Sequence, residues 1–437
     1  MGGANDEHWR YGSIATKVGE GCRWGAFRES EDGASVSEDQ QVIVVGAGPT
    51  GLLCALGLAQ QGISVTVIEK QPELQDSPRA IVYHWATLDG LARLDVLEDA
   101  TSVGFLKQDY AYRVRRTGEI IGYGLQALEG KVERPYNLHL GQGALAQVVL
   151  ARLLTYPNVR VLWSTEVNVV AQYEAGVEVH VRTEDEEAVL RAEWLVGADG
   201  ARSRVRTELG LAFEGMTWPE RFVATNVRFP DEREGWAQST FYVDDTYGAI
   251  IAKIDDSGDH GLWRYTYMED SALPAETAAE RYPHFLRAVF GEDVAERTEL
   301  VALSPYSMHQ RSATAYRAGR VLLAGDAAHA TNPTGGLGLT MGLFDAYLLN
   351  ESLGLVLRGR ADDAVLDGYA DARRRAFVER ASPRASANKQ LLFHSSDQEL
   401  LDQQLEPFRR MSHDPEFAAE RLYFTKTLET PSLLAAG

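Results

Sequence analysis

Residues 41–69 read QVIVVGAGPTGLLCALGLAQQGISVTVIE, and no other stretch constrains the fold as tightly. Gln41 to Val45 is a β-branched apolar run of the kind a strand covered on both faces requires. It feeds Gly46, Gly48 and Gly51 in GxGxxG spacing, then an apolar helix, LLCALGLAQ, and a second strand, Ser64 to Ile68, that ends at Glu69. Together these predict a parallel βαβ unit that binds a dinucleotide. Gly46 permits the tight turn, Gly48 lets backbone approach a pyrophosphate, and Gly51 lets the helix pack on the strand. The helix N-terminus offers free N–H groups to the phosphates. Glu69 is placed to accept hydrogen bonds from both hydroxyls of an adenosine ribose. FAD and NAD both carry that ADP half, so the loop alone leaves the choice open.

A second glycine cluster separates them. Arg320 to Ala324 reads as another buried strand, and it delivers GDAAHATNPTGGLGLT at residues 325–340. Asp326 stands at the C-terminal end of that strand, where open α/β sheets bind ligands. A carboxylate there can hold a ribityl hydroxyl, a group FAD has and NAD lacks. Pro333 turns the chain, and Gly335, Gly336 and Gly338 clear side chains from a flat ring. The apolar helix that begins near Leu337 and Leu339 aims its N-terminal dipole at the ring, where reduced flavin carries negative charge. His329 is expected to hold this loop rather than react.

The rest of the chain follows from pattern and length. With 437 residues, two interleaved domains are expected. The fold class is α/β: a Rossmann-like FAD-binding domain, an inserted antiparallel sheet and a helical C-terminus. Residues 1–40 form a poorly ordered extension, 41–215 and 311–380 the discontinuous FAD-binding domain, 216–310 the substrate sheet, and 381–437 a C-terminal helical segment. The insert shows period-two aromatic stretches such as STFYV and GLWRYTYM, interrupted by one helix at Ala278 to Phe290. Net charge −20 disfavours nucleic acid and anionic membrane surfaces. The basic runs at Arg113, Arg115 and Arg116 and at Arg373, Arg374 and Arg375 read as solvated faces. Two cysteines, Cys22 and Cys54, give no disulfide framework, and no run is long enough to span a bilayer, so a cytoplasmic protein is expected. No metal site is expected.

GDAAHATNPTGGLGLT with the following Met341 to Asp345 resembles the flavin motif of the class A FAD-dependent aromatic monooxygenases, the para-hydroxybenzoate hydroxylase type. The segment GADGARSRVR, residues 197–206, is similar to that family's Asp-Gly fingerprint. The likeness runs from about residue 41 to 380. It implies that Glu69 binds the FAD ribose, that Asp326 binds the ribityl chain, and that Gln142 and Arg79 approach the cofactor. It also implies that backbone from Gly335 to Thr340 meets the pyrimidine edge, and that Pro333 lines the flavin where oxygen reacts. Thr340 replaces an Asn common in the family. In the family the Asp-Gly motif is associated with FAD and NAD(P)H together, which leaves Asp199 either a cofactor contact or structural, and Arg204 and Arg206 are either solvated or steer the nicotinamide phosphate.

The activity so implied is hydroxylation of a phenolic or polyketide-like aromatic small molecule, with NAD(P)H as transient donor and O2 added through a flavin C4a-hydroperoxide. The same fold also supports epoxidation, Baeyer–Villiger insertion or prenyl-chain reduction, and a non-catalytic flavin-binding protein stays open. Substrate candidates lie on the inserted sheet: Tyr242, Trp263, Tyr265 and Tyr267, the last three sharing one face opposite Arg264. His309 is the candidate base.

Overall fold

The computed structural model describes residues 28–29, 35–36, 40–75, 80–231 and 235–433. The expected N-terminal extension and Arg79 therefore lie outside the described residues, apart from two short strand pieces and Gln40.

Five parallel strands form the heart of the larger sheet. Val321–Leu323, Glu187–Gly197, Gln40–Val45, Val65–Ile68 and Val159–Leu162 pair in that order. Val42, Ile43, Val44, Val65 and Val67 are fully buried, as β-branched strands covered on both faces should be. Helices Pro49–Ala59 and Leu337–Leu357 pack on this sheet and on each other; both are apolar almost all round because neither has a solvent face. The geometry has one consequence for chemistry. Gly46, Glu69, Asp199 and Asp326 each follow the C-terminal end of one of these strands, so four segments far apart in sequence open onto one edge.

The second sheet has eight strands, ordered His329–Ala330, Glu299–Ala313, Phe213–Arg228, Leu262–Asp270, Ala249–Asp255, Ser239–Val243, Asp109–Val114 and Ile120–Gly124. It is wider than the stretch 216–310. The hairpin 109–124 joins it, with Asp109–Val114 pairing parallel to Ser239–Val243.

Register decides which side chains face where. Tyr110, Tyr112, Tyr123, Phe241, Ile250, Ala252, Arg264 and Thr266 fall on one face. Ala249, Ile251, Trp263, Tyr265 and Tyr267 fall on the other, beneath helix Ala278–Phe290, whose Tyr282, Phe285, Leu286 and Phe290 cover them.

The C-terminal segment is helical, with helices Ser382–Phe393, Gln398–Met411 and Pro415–Leu422. Leu401, Leu405 and Phe408, spaced i, i+4, i+7, form the stripe that packs against Tyr112, Ile121 and Tyr123. Of the basic runs, Arg373 departs from the solvated reading. It is fully buried, with Nε donating to Asp345 Oδ1 at 2.7 Å.

Candidate active site

A cleft of about 1560 Å³ runs from the first glycine loop, past Asp326 and Pro333, to the aromatic face of the second sheet. A single small-molecule pocket occupies roughly 300–1,000 Å³, so there is room for a long cofactor and a second ligand together. Gly46, Gly48, Glu69, Gln142, Asp199, Asp326, Pro333, Gly335, Gly336, Leu337, Gly338 and Leu339 all line it, as does His309.

At the first loop, Gly46 has φ +105°, and a Cβ there would lie 2.4 Å from the Ala198 carbonyl oxygen. Gly51 packs the helix on the loop instead of lining the cleft: its Cβ would meet the Gly46 oxygen at 2.0 Å. The Glu69 carboxylate is aimed by two backbone donors, Ala47 N–H at 2.8 Å to Oε2 and Gln71 N–H at 2.9 Å to Oε1. Each oxygen keeps a second lone pair for a ligand hydroxyl.

Two observations test whether this cleft suits FAD. Helices Pro49–Ala59 and Leu337–Leu357 each start on a glycine, Gly48 and Gly336, with no side chain capping the first turn. Their first amide groups are thus left for a ligand at two points of one cleft. In addition, a Cβ at Gly48 would meet nothing within 4 Å, so the loop borders open space where a pyrophosphate would lie. The residues fit the group.

The loop carrying Asp326 is pinned from below by a buried triad. Asp345 Oδ2 accepts from Gly325 N–H at 2.9 Å and from His329 Nε2 at 2.6 Å, while Oδ1 accepts from Arg373. All three side chains are fully buried. Burial alone would raise Asp345, but His329 and Arg373 outweigh it and leave the carboxyl below its ordinary value. His329 therefore holds the loop.

Several expected residues take other positions. Thr340 is buried with its hydroxyl donating to Gly336 O at 3.0 Å, and its side chain does not line the cleft. Asp199 lines the cleft but spends its carboxylate on Ser203 Oγ at 2.5 Å, Arg204 N–H at 2.6 Å and Val205 N–H at 3.2 Å, capping the next helix. Arg206 is buried, donating to the carbonyls of Ala327 and Ala201. His309 bonds Thr217 Oγ1 at 2.9 Å; burial, then Arg311 and Arg202, lower its pKa, with Asp326 opposing. Its charged neighbours place it in the Asp326 stretch of the cleft.

Tyr242, Trp263, Tyr265 and Tyr267 do not line the cleft. Tyr265 and Tyr267 are fully buried beneath helix Ala278–Phe290, Tyr267 stacking on Phe285 at 4.2 Å, and Tyr242 stacks on Trp236. Both faces of the sheet carry aromatic side chains, and helix Ala278–Phe290 covers the one that holds Trp263, Tyr265 and Tyr267. The face of Arg264 is the one turned to the cleft.

The aromatic end of the cleft comes from elsewhere. Tyr110 and Tyr112, two residues apart on one strand, stand beside Tyr123 and Phe241; Tyr110 stacks on Tyr123 at 5.4 Å. Phe408 closes on Tyr112 at 4.3 Å, and Phe424 adds a further wall.

Between this chamber and the second glycine loop lies His84. Its Nε2 bonds the Gly335 carbonyl at 2.8 Å, and because a carbonyl only accepts, Nε2 carries the proton. Nδ1 then faces Asn137 Nδ2 at 3.5 Å. Burial lowers the His84 pKa, partly offset by the Gly335 bond, so the ring is neutral near pH 7. Asn137 Oδ1 accepts from Trp85 N–H at 2.8 Å, which turns its amide nitrogen toward the Tyr110 hydroxyl. Tyr110 thus accepts from Asn137 and has its own proton to donate into the chamber; burial holds its pKa well above the ordinary value.

The comparisons with known proteins agree with this geometry. A family described as FAD binding domain matches residues 39–385. The chain is 44% identical over 397 residues to 6-hydroxy-3-succinoylpyridine 3-monooxygenase of Pseudomonas putida, covering 90% of this chain and all of that relative. Among solved structures, p-nitrophenol 4-monooxygenase of Pseudomonas putida DLL-E4 superposes with TM-score 0.86 at 36% identity, covering 90% of this chain and 99% of that one. Aklavinone-11 hydroxylase, solved with FAD and aklavinone, gives TM-score 0.72 at 27% identity over 83% of this chain and 71% of that one. The chain belongs to the FAD-binding-domain family, among the class A flavoprotein aromatic hydroxylases, and is an FAD-dependent monooxygenase.

Proposed function

We propose that this enzyme hydroxylates a phenolic or hydroxylated heteroaromatic small molecule in the cytoplasm, with NAD(P)H and O2 as co-substrates. The observation that carries this reading is the chamber of Tyr110, Tyr112, Tyr123, Phe241, Phe408 and Phe424, continuous with the cleft at Pro333 and Leu337. A flat ring stacked there lies against the stretch that would border the flavin. The relatives named above act on a hydroxypyridine and a nitrophenol, which suits walls of this kind. The acidic net charge supports a small-molecule role over nucleic acid.

FAD, when bound, takes electrons from NAD(P)H and delivers one atom of O2 to the substrate ring. The backbone at Gly46 and Gly48 would hold its pyrophosphate, Glu69 its ribose, and Asp326 its ribityl hydroxyls. The N-terminus of helix Leu337–Leu357 would face its pyrimidine edge and favour negative charge there. Tyr110 donates a hydrogen bond to the substrate oxygen, and neutral His84, fixed by Gly335, holds Asn137 and Tyr110 in line. Phe408, Phe424 and Met411 exclude water from the chamber. Pro333 borders the reacting centre, and His309 stays at the Asp326 stretch.

The test is incubation of the holoprotein with NAD(P)H, isotopically labelled O2 and a panel of phenols and hydroxypyridines, with products read by mass spectrometry. One labelled oxygen in a ring-hydroxylated product is the expected result. NAD(P)H oxidation yielding only peroxide with every aromatic compound would overturn the proposal.

A further inference from the structure

The chamber carries charge that the protein does not neutralise. Helix Ser382–Phe393 touches the second glycine loop through Asn388, whose Nδ2 donates to the Thr334 carbonyl at 3.4 Å. Arg384 lies one turn earlier on the same helix face, about 6 Å along the axis. Arg421 arrives from helix Pro415–Leu422, and both arginines line the cleft. The Arg384 guanidinium stands 4.2 Å over Phe424, and that of Arg421 stands 5.6 Å from Phe408.

Among the described residues, neither guanidinium has a carboxylate within 4.0 Å, in a chain of net charge −20. Burial, and then the charge of Arg421, act on Arg384, and both arginines act on the Tyr112 hydroxyl. Two like charges therefore face one aromatic chamber with no protein anion between them. Half-buried cations without a counterion are unfavourable until an anion joins them. Arg421 lies beyond residue 385, where the family match ends.

We propose that Arg384 and Arg421 form an acid anchor, a specificity site for a carboxylate borne by the aromatic substrate about one ring length from the position that is oxygenated. This rests on the chamber being the substrate site. A helical turn between Arg384 and Asn388 matches the span of a substituted ring, so a compound anchored at the arginines presents its far edge to the Pro333 stretch. Tyr112, between the two charges, supplies a hydroxyl to the same carboxylate.

The experiment measures calorimetric dissociation constants of the holoprotein for 3-(4-hydroxyphenyl)propanoate and for its primary amide. The wild type, Arg384→Gln, Arg421→Gln and Arg421→Lys are compared. The acid binds about tenfold or more tightly than the amide, as a charge-assisted pair should. Either Gln variant removes that preference by weakening the acid alone, with flavin content unchanged, and Arg421→Lys restores part of it. Equal binding of acid and amide overturns the anchor, as do Gln variants that weaken both probes. So does a rise in KM for NADPH with unchanged acid affinity, which would assign the arginines to the reductant's phosphate. A protein that binds neither probe yet oxygenates uncharged phenols overturns the anchor and leaves the hydroxylase reading standing. Intact acid preference without incorporation of oxygen from O2 into any phenol does the reverse.

Discussion

Asp345 offers the sharpest test of how the second glycine loop is held. Its carboxylate serves three buried donors: Gly325 N–H and His329 Nε2 on one oxygen, Arg373 Nε on the other. Asp345→Ala leaves Arg373, with no exposed surface, without its counter-charge. Removing one partner of a buried ion pair costs about 3–5 kcal/mol. One kcal/mol is worth about 2–4 °C in a domain of 150–250 residues and less in a longer chain, so the melting temperature falls by about 5–10 °C.

Asp345→Asn separates loop from stability. The amide oxygen stays on Arg373, and the amide nitrogen meets His329, which can move its proton to the unpartnered Nδ1. Gly325 N–H is then left facing a donor. We expect Asn to melt closer to wild type than Ala, yet to lose FAD on desalting nearly as readily. Because the Asp345 carboxyl is held below its ordinary 3.8, its stabilisation is present above that pH and is lost as pH falls through the lower folded value. Differential scanning fluorimetry and flavin absorbance per protein report the two effects. An Asn variant that melts like wild type and keeps its full flavin would refute the claim that Asp345 holds the loop.

Other expectations follow from single side chains. Asp326→Ala retains its fold and loses FAD on desalting; unchanged flavin content would remove Asp326 from the ribityl role. Tyr110→Phe lowers kcat/KM on a phenol by about ten- to a hundredfold, the value of one buried hydrogen bond to a charged or charging oxygen, without loss of flavin. Lys107 is buried over the Tyr110 ring with no hydrogen-bond partner, and burial brings its amine down to about 6 despite Asp109. The unfolded amine binds a proton below about 10.5, so native stability is lost as pH falls through that window, and Lys107→Met should gain about 1–3 kcal/mol near pH 7 and less near pH 10. Denaturant melts at both pH values measure this; destabilisation at both would contradict it. Tyr265→Phe should leave kcat and KM within about twofold, since its unpartnered hydroxyl lies on the helix-covered face; a large rise in KM would return that face to the site.

The residues readable in the sequence are those whose role is set by local backbone. Gly46, Glu69 and Asp326 each sit at a strand end, and a strand ending in a glycine turn needs no knowledge of distant chain to be recognised. The chamber needed such knowledge. Alternation puts Trp263, Tyr265 and Tyr267 on one face, where the register also has them, but it cannot say which face a helix will cover. Tyr110 and Tyr112 show the same alternation, in DYAYRV, and their strand joins the second sheet only through a parallel pairing with residues more than a hundred positions later. Arg373 was hidden for a helical reason: successive residues turn about 100°, so three adjacent arginines cannot share one solvated face. The pair Arg384 and Arg421 becomes visible only when two helices converge.

The long ribbon of Phe213–Arg228 against Glu299–Ala313 enters and leaves the second sheet side by side, with Phe213 paired to Ala313. Such neighbouring ends make the intervening segment resemble a cartridge that could be exchanged between homologues to transplant selectivity. The hairpin 109–124 forbids so simple a swap. It completes the sheet's far margin and supplies three tyrosines to its inner lining, so a chimaera built on residues 213–313 alone would join mismatched halves of one wall. The exchangeable unit is three-part: the hairpin, the ribbon-bounded segment, and the terminal helices that seal them.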